Sequence, residues 1–289
     1  MEIDFRELRR KERRAAKRGT GSGVQTGVTC VGANESSSAA SASISGDAAV
    51  ATKTRNSGDG LDGAHRIPLE TELPRNTLND AAHLVSHGNC KTVYYAERFL
   101  KQAQGQELLA WLEALPSGGD SNDPVATQNG KWTRMVHANR RVAMFDSEIS
   151  VLPRLLSRIS STLVSVGAFD PSRPPNHVLV NEYQPGQGIM PHTDGPAYDS
   201  ATATISLGGS DVIFKLWPRH HDDEKARRVA EPTLEVVLHG NGSLVVFTGD
   251  AYINHMHSID EVLEETTSIG TKIARGYRVS LTFRHKKWR

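Results

Sequence analysis

His192-Thr193-Asp194 sets an imidazole and a carboxylate two residues apart, directly after an apolar stretch and a glycine turn. In extended backbone, residues i and i+2 face the same side, so the pair can grip one ion. A neutral imidazole and a carboxylate are two members of the 2-His-1-carboxylate set, which holds Fe(II) on one face and leaves the remaining positions open. A third member is available in AYINHMHSI, which carries His255 and His257. These two are also i and i+2, so periodicity does not choose between them. The C-terminal run RVSLTFR adds a second kind of chemistry. As a strand it puts Arg278, Ser280, Thr282 and Arg284 on one face and Val279, Leu281 and Phe283 on the other. Two arginines on the inner face of a barrel are expensive without anionic partners. A dicarboxylate would supply both partners, since guanidinium binds carboxylate in a two-point fork.

Such groups need elements to hold them. The stretch NHVLVNEYQPGQGIMPHTDGP (176–196) reads as a strand, a PGQG turn and then the His-Asp pair. Further strand patterns are ATATISLG, DVIFKLW, TLEVVLH, SLVVFTG, AYINHMHSI and YRVSLTFRH, punctuated by LGGS and HGNG. Seven or eight short strands at regular spacing predict a sandwich or a jelly roll, and a jelly roll brings distant strands side by side. Two helical patterns precede them. One, in 92–116, follows a short strand and carries Phe99, Leu108, Leu109, Trp111, Leu112 and Leu115 until Pro116 and the glycines stop it; the other, in 147–167, carries Ile149, Leu152, Leu155, Leu156, Ile159, Leu163 and Val166. Residues 130–146 read as extended. Segregated helices and strands predict a mainly-β or α+β domain over 89–289: a double-stranded β-helix with two supporting helices on its N-terminal side.

Residues 20–88 are rich in Gly, Ser, Ala, Thr and Asn without apolar periodicity, and read as a disordered low-complexity segment. Residues 1–19, MEIDFRELRRKERRAAKRG, read as a basic helical arm, suited to nuclear import or to nucleic acid. The arm lacks the apolar core of a secretory signal, and no apolar run approaches a membrane span. Of the 34 Lys+Arg and 33 Asp+Glu, residues 1–88 hold 12 and 11, so the remainder is neutral with 22 of each. Net charge therefore does not advertise a nucleic-acid groove. Cys30 and Cys90 make no disulfide framework and fit a reducing compartment, nucleus or cytoplasm. His220-His221-Asp222-Asp223 lies in a charged stretch and reads as a solvated loop.

Together, HxD, a late histidine and Arg-x5-Arg on the last strand resemble the Fe(II)/2-oxoglutarate dioxygenases of the AlkB family. The resemblance is sharpest at NHVLVNEYQPGQGIMPHTDGPAY, where the chain is similar to the branch called AlkB homologue six. It spans roughly residues 92–286 and leaves out 1–88. It implies Fe(II) on His192, Asp194 and His257, the latter because the family's third ligand precedes a small residue and Ile, as in His257-Ser258-Ile259. It implies 2-oxoglutarate contacts from Asn181, Tyr183, Arg278, Ser280 and Arg284, with Arg278 on the distal carboxylate and Arg284 near the chelating one. Ser280 stands where the bacterial family member has asparagine. O2 completes the reactants. The implied activity is demethylation of alkylated RNA or DNA at the barrel mouth, with Tyr198 and Trp132 as candidates to stack a flipped base. The basic arm outside the resemblance would add phosphate contacts, and a monomer is expected. Alternatives are a protein side-chain hydroxylase or demethylase, or a silent binding module on the same barrel.

Overall fold

The computed structural model describes Leu78 and residues 83–86, 88–121, 129–135, 138, 140–219 and 231–287. The basic arm, nearly all of 20–88 and the His220–Asp223 loop lie outside the described residues. The elements in chain order are β1 (Val93–Ala96), α1 (Gln102–Glu113), β2 (Ser117–Ser121), β3 (Trp132–Met135), β4 (Arg140–Asp146), α2 (Arg154–Ser165), β5 (His177–Tyr183), β6 (Ile189–His192), β7 (Tyr198–Leu207), β8 (Val212–Pro218), β9 (Leu234–Leu238), β10 (Ser243–Thr248), α3 (Gly249–Asn254), β11 (His255–Ile259), β12 (Glu264–Thr266), β13 (Lys272–Ala274) and β14 (Arg278–Lys286).

An eight-stranded sheet runs β1-β10-β7-β14-β5-β4-β3-β2 and a four-stranded sheet runs β6-β11-β8-β9. From β5 the chain passes back and forth between them, and this is the double-stranded β-helix expected from the strand spacing. Alternation decides which side of the large sheet each residue serves. Ala203, Ile205 and Leu207 of β7, Val279, Leu281 and Phe283 of β14, and Val178 and Val180 of β5 join one core with α1 and α2. There α2 buries Leu155, Leu156, Ile159 and Leu163, the i, i+4, i+8 stripe of an amphipathic helix. A second core between the sheets contains Val212, Phe214 and Leu216 of β8 with Val93, Val245 and Phe247. The alternate residues of β7 and β14 (Thr202, Thr204, Ser206; Arg278, Ser280, Thr282, Arg284), with Asn181 of β5, are polar and belong to neither core.

Several expectations need correction. Leu78, upstream of residue 89, is fully buried in the helix-side core, and its N–H donates to Val166 O at 3.1 Å. Phe99 is buried but precedes α1, in a turn whose Phe99 and Leu100 N–H groups both donate to Gly242 O. Ile149 is exposed, because α2 begins only at Arg154. α1 stops at Glu113, before Pro116, and Gly118-Gly119 belongs instead to β2, an edge strand parallel to β3. AYINHMHSI is half helix. The Asp250 carboxylate accepts from Lys91 N–H at 3.0 Å and Asn254 Nδ2 at 2.9 Å, which closes one turn of α3 before β11 begins.

Candidate metal centre

The PGQG turn places the first histidine. Gly186 has φ +81, and Gly188 has no room for a side chain, since a Cβ there would meet Ile259 O at 2.3 Å. This close approach seats β6 against β11, with Ile189 opposite Ile259 and His192 opposite His257. Arg275 locks the turn: it donates to Gln187 O at 2.9 Å and Asp260 O at 3.0 Å, and its charge meets Glu265 at 3.3 Å.

Cross-strand pairing thus sets His257, and not His255, beside His192. β6 ends at His192, so His255 has no partner there; it sits opposite Pro218 of β8, buried, with Nδ1 unpartnered. The His192 and His257 rings lie 4.2 Å apart, and His257 Nε2 is 3.9 Å from Asp194 Oδ1. One ligand atom from each of His192, Asp194 and His257 falls within 4.8 Å of the others. His192 Nδ1 lies 2.8 Å from Met190 O. A carbonyl only accepts, so Nδ1 carries the proton and Nε2 keeps its lone pair.

Asp194 is held by both oxygens. Arg284 Nη2 reaches Oδ1 at 2.7 Å and Thr202 Oγ1 donates to Oδ2 at 2.6 Å, with the carboxylate side chain 1% exposed. Burial alone would raise its pKa; the Arg284 charge, aided by the Thr202 hydrogen bond, outweighs burial and holds it at about 2. Burial pushes both imidazoles down, His257 to about 3 with His192 adding to the effect. The trio is therefore one carboxylate and two neutral imidazoles, the charge state that divalent iron takes from such a set.

Along the same polar face lies a buried cation lacking a carboxylate. Arg278 is 3% exposed. It donates to Ser206 Oγ at 2.9 Å and lies 5.4 Å from the centre of the Tyr183 ring, while its Nε has no partner. No carboxylate among the described residues lies within ion-pair distance of it. Burial pulls its pKa down to about 10. Register puts Tyr183 opposite Arg278 and Asn181 opposite Ser280, and Ser280 opposite Ser206. Arg140 Nε donates to Asn181 Oδ1 at 3.2 Å, which turns the amide nitrogen of Asn181 away from Arg140. The face thus combines three ligand side chains with an unmatched guanidinium, and both fit a divalent metal chelated by a dianion.

The two stacking candidates separate. Tyr198 is half-buried at the start of β7, its ring 5.2 Å from His177 and 4.8 Å from the Arg284 guanidinium. Trp132 is not at this face: it is 3% exposed in the helix-side core and its Nε1–H donates to Leu112 O at 2.8 Å. Its expected role as a stacking group is withdrawn. Three further groups reach the site without having been picked out from sequence: Thr202, Arg140 and Tyr252, whose hydroxyl donates to Gly195 O at 2.9 Å. Thr202 was legible in principle, since Thr202, Thr204 and Ser206 alternate with Ala203, Ile205 and Leu207. Arg140 and Tyr252 carry no such signal.

Residues 92–284 match the family model of the 2OG-Fe(II) oxygenase superfamily. The chain is 30% identical over 214 residues to a zebrafish (Danio rerio) protein described as probable RNA/DNA demethylase ALKBH6, covering 67% of this chain and 85% of that one. Among solved structures it is similar to OsALKBH1, with TM-score 0.44, 15% identity, and coverage of 67% of this chain and 97% of that one. A prolyl-4-hydroxylase from Pseudomonas putida gives TM-score 0.44 and 13% identity, with coverage of 73% and 97%.

Proposed function

Because the chain belongs to the 2OG-Fe(II) oxygenase superfamily, we propose that His192, Asp194 and His257 hold its Fe(II), that Asn181, Tyr183, Arg278, Ser280 and Arg284 receive 2-oxoglutarate, and that it demethylates alkylated RNA or DNA. The enzyme is a dioxygenase of AlkB-like type, using Fe(II), 2-oxoglutarate and O2. When bound, the iron and 2-oxoglutarate supply the oxidation of a substrate C–H bond by O2, and a hydroxylated N-methyl group then loses formaldehyde.

The protein's residues position and neutralise. Arg278 pairs with the distal carboxylate of 2-oxoglutarate, and Tyr183 and Ser280 border that pocket. Asn181 offers its amide N–H groups to the same cosubstrate. Arg284 keeps Asp194 ionised and lies beside the chelating carboxylate. The observation that carries the reading is the unmatched Arg278 guanidinium on the same strand face as the Arg284–Asp194 pair. An unpaired buried cation is costly, and a dianion relieves the cost.

Nucleic acid as substrate draws support from the zebrafish relative's description, from Tyr198 beside Arg284, and from the basic arm, whose phosphate contacts would be salt-dependent. A monomer acting in the nucleus, the cytoplasm or both is the matching cellular picture. Among the described residues, no helix is long and apolar enough to cross a membrane.

Two measurements test this. Anaerobic protein with Fe(II) and 2-oxoglutarate should show the weak visible metal-to-ligand charge-transfer band, absent in His192→Ala. Formaldehyde should appear with N-methylated RNA or DNA oligonucleotides. Release with methylated or unmodified peptides alone would move the assignment to protein substrates; absence of the band from folded, iron-loaded protein would favour the binding-module alternative.

A further inference from the structure

We propose that Thr202 is a positioning residue that restricts Asp194 to binding the metal through one oxygen. The inference rests on the reading of His192, Asp194 and His257 as the iron ligands. Thr202 and Arg284 are direct cross-strand partners on β7 and β14. From that shared position they take one carboxylate oxygen each, Thr202 Oγ1 on Oδ2 at 2.6 Å and Arg284 Nη2 on Oδ1 at 2.7 Å. Two anchors fix rotation about the Asp194 Cβ–Cγ bond. Oδ1 is thereby the oxygen turned toward His257 Nε2, at 3.9 Å. Oδ2 is turned toward the sheet, into a short hydrogen bond of the charge-assisted class. Thr202 is itself 1% exposed, so in the intact protein its hydroxyl, and not bulk water, meets Oδ2.

The consequence concerns open positions on the metal. Three single-atom protein ligands leave three positions of an octahedron. A carboxylate free to chelate through both oxygens would take one of them. The hydroxyl of Thr202 prevents this by engaging Oδ2, and so keeps the three positions that cosubstrate and O2 require. The γ-methyl of Thr202 has no part in this role.

The test uses the full-length protein with Mn(II), which needs neither turnover nor O2, and reads metal-bound water by water-proton relaxation. Thr202→Val removes the hydroxyl at constant shape, Thr202→Ser keeps it, and Thr202→Ala is a second hydroxyl-free variant should the valine form fold poorly. At saturating protein, relaxivity per bound Mn(II) scales with exchangeable waters. It is expected to fall by about a third in Thr202→Val and Thr202→Ala, from three waters to two, and to stay at the wild-type value in Thr202→Ser. Equal relaxivity in all forms would overturn the proposal. So would a fall in Thr202→Ser as well, because the methyl and not the hydroxyl would then be responsible. The underlying ligand assignment is checked separately: if His192→Ala and His257→Ala bind Mn(II) as wild type does, that assignment fails whatever Thr202 does.

Discussion

Replacing Arg278 with methionine should separate stability from binding, moving them in opposite directions. Burial takes the guanidinium from the usual arginine value near 12.5 to about 10. At about 1.36 kcal/mol per tenfold change in acidity, carrying the proton costs the folded protein roughly 3 kcal/mol at neutral pH. The sign follows from linkage: the folded pKa is the lower one, so the cost is full below 10 and disappears as pH rises through 10 toward the unfolded value. Methionine fills a similar length with an adaptable apolar chain. It leaves Ser206 Oγ without its donor, a loss of about 1 kcal/mol. The cosubstrate-free variant should therefore gain about 1–2 kcal/mol, a rise in melting temperature of a few degrees. Binding should go the other way. Losing charged hydrogen bonds to a carboxylate costs about 1.5–3 kcal/mol, or roughly 10- to 150-fold in the dissociation constant of 2-oxoglutarate. Scanning calorimetry of the Mn(II) protein, with and without 2-oxoglutarate, measures both effects. Wild type should be stabilised by cosubstrate, by about 2.7 kcal/mol at a hundredfold excess over its dissociation constant, and the variant by only about 0.3–1.4 kcal/mol at the same concentration. A variant that is less stable without cosubstrate, or that binds it as tightly as wild type, refutes the reasoning.

Three further outcomes follow from individual contacts. Trp132→Ala should cost about 3–5 kcal/mol in a denaturant melt, because it empties a buried core position, and leave cosubstrate affinity of the folded fraction unchanged; full stability with lost turnover would restore the indole to the site. Tyr252→Phe keeps the ring against Phe247 but removes the donor to Gly195 O beside Asp194. Metal titration should show affinity falling by about tenfold, the lower end for an outer contact of a metal site, and an unchanged constant would exclude the role. For Asp146, burial would raise the carboxyl, but the Lys286 ammonium at 2.7 Å outweighs it and lowers it below the usual 3.8. A depressed folded pKa contributes stability above the unfolded value that is lost as pH falls through the folded one. Asp146→Asn should therefore flatten the acid limb of a stability–pH curve below about 4, and an identical limb would refute it.

What could be read from the chain was the face on which each residue stands. What could not be read was its neighbour across the sheet. Strict alternation in RVSLTFR assigned Val279, Leu281 and Phe283 to a core and the two arginines to the other face; the three apolar residues join the helix-side core, and both faces are buried. The spacing of His192 and Asp194 likewise predicted one metal-facing edge. Alternation says nothing of register, and register separates His257 from His255 through the point where β6 stops. Register also pairs Thr202 with Arg284 and so gives Asp194 its second anchor. Trp132 misled for a related reason. An aromatic in an extended stretch can face either side of a sheet, and only the Leu112 carbonyl shows which side was taken.

The same strand explains why a sheet face with two buried arginines folds at all. β14 lies in the interior of the large sheet between β7 and β5, so its backbone is paired on both sides. Its apolar face presents Val279, Leu281 and Phe283 to the helix-side core. Burying side chains of that kind yields about 1.5–3 kcal/mol each, enough to offset the roughly 3 kcal/mol that protonated Arg278 costs on the opposite face. Arg284 is matched within the chain by Asp194, whereas Arg278 has only hydroxyl and ring partners. One charge is thus compensated before any ligand arrives and the other is left in need of one. On the proposed reading, this face would select a dianion by charge and length together: one carboxylate would reach Arg278 while the other end meets the metal, and a monocarboxylate would leave one of the two unmet.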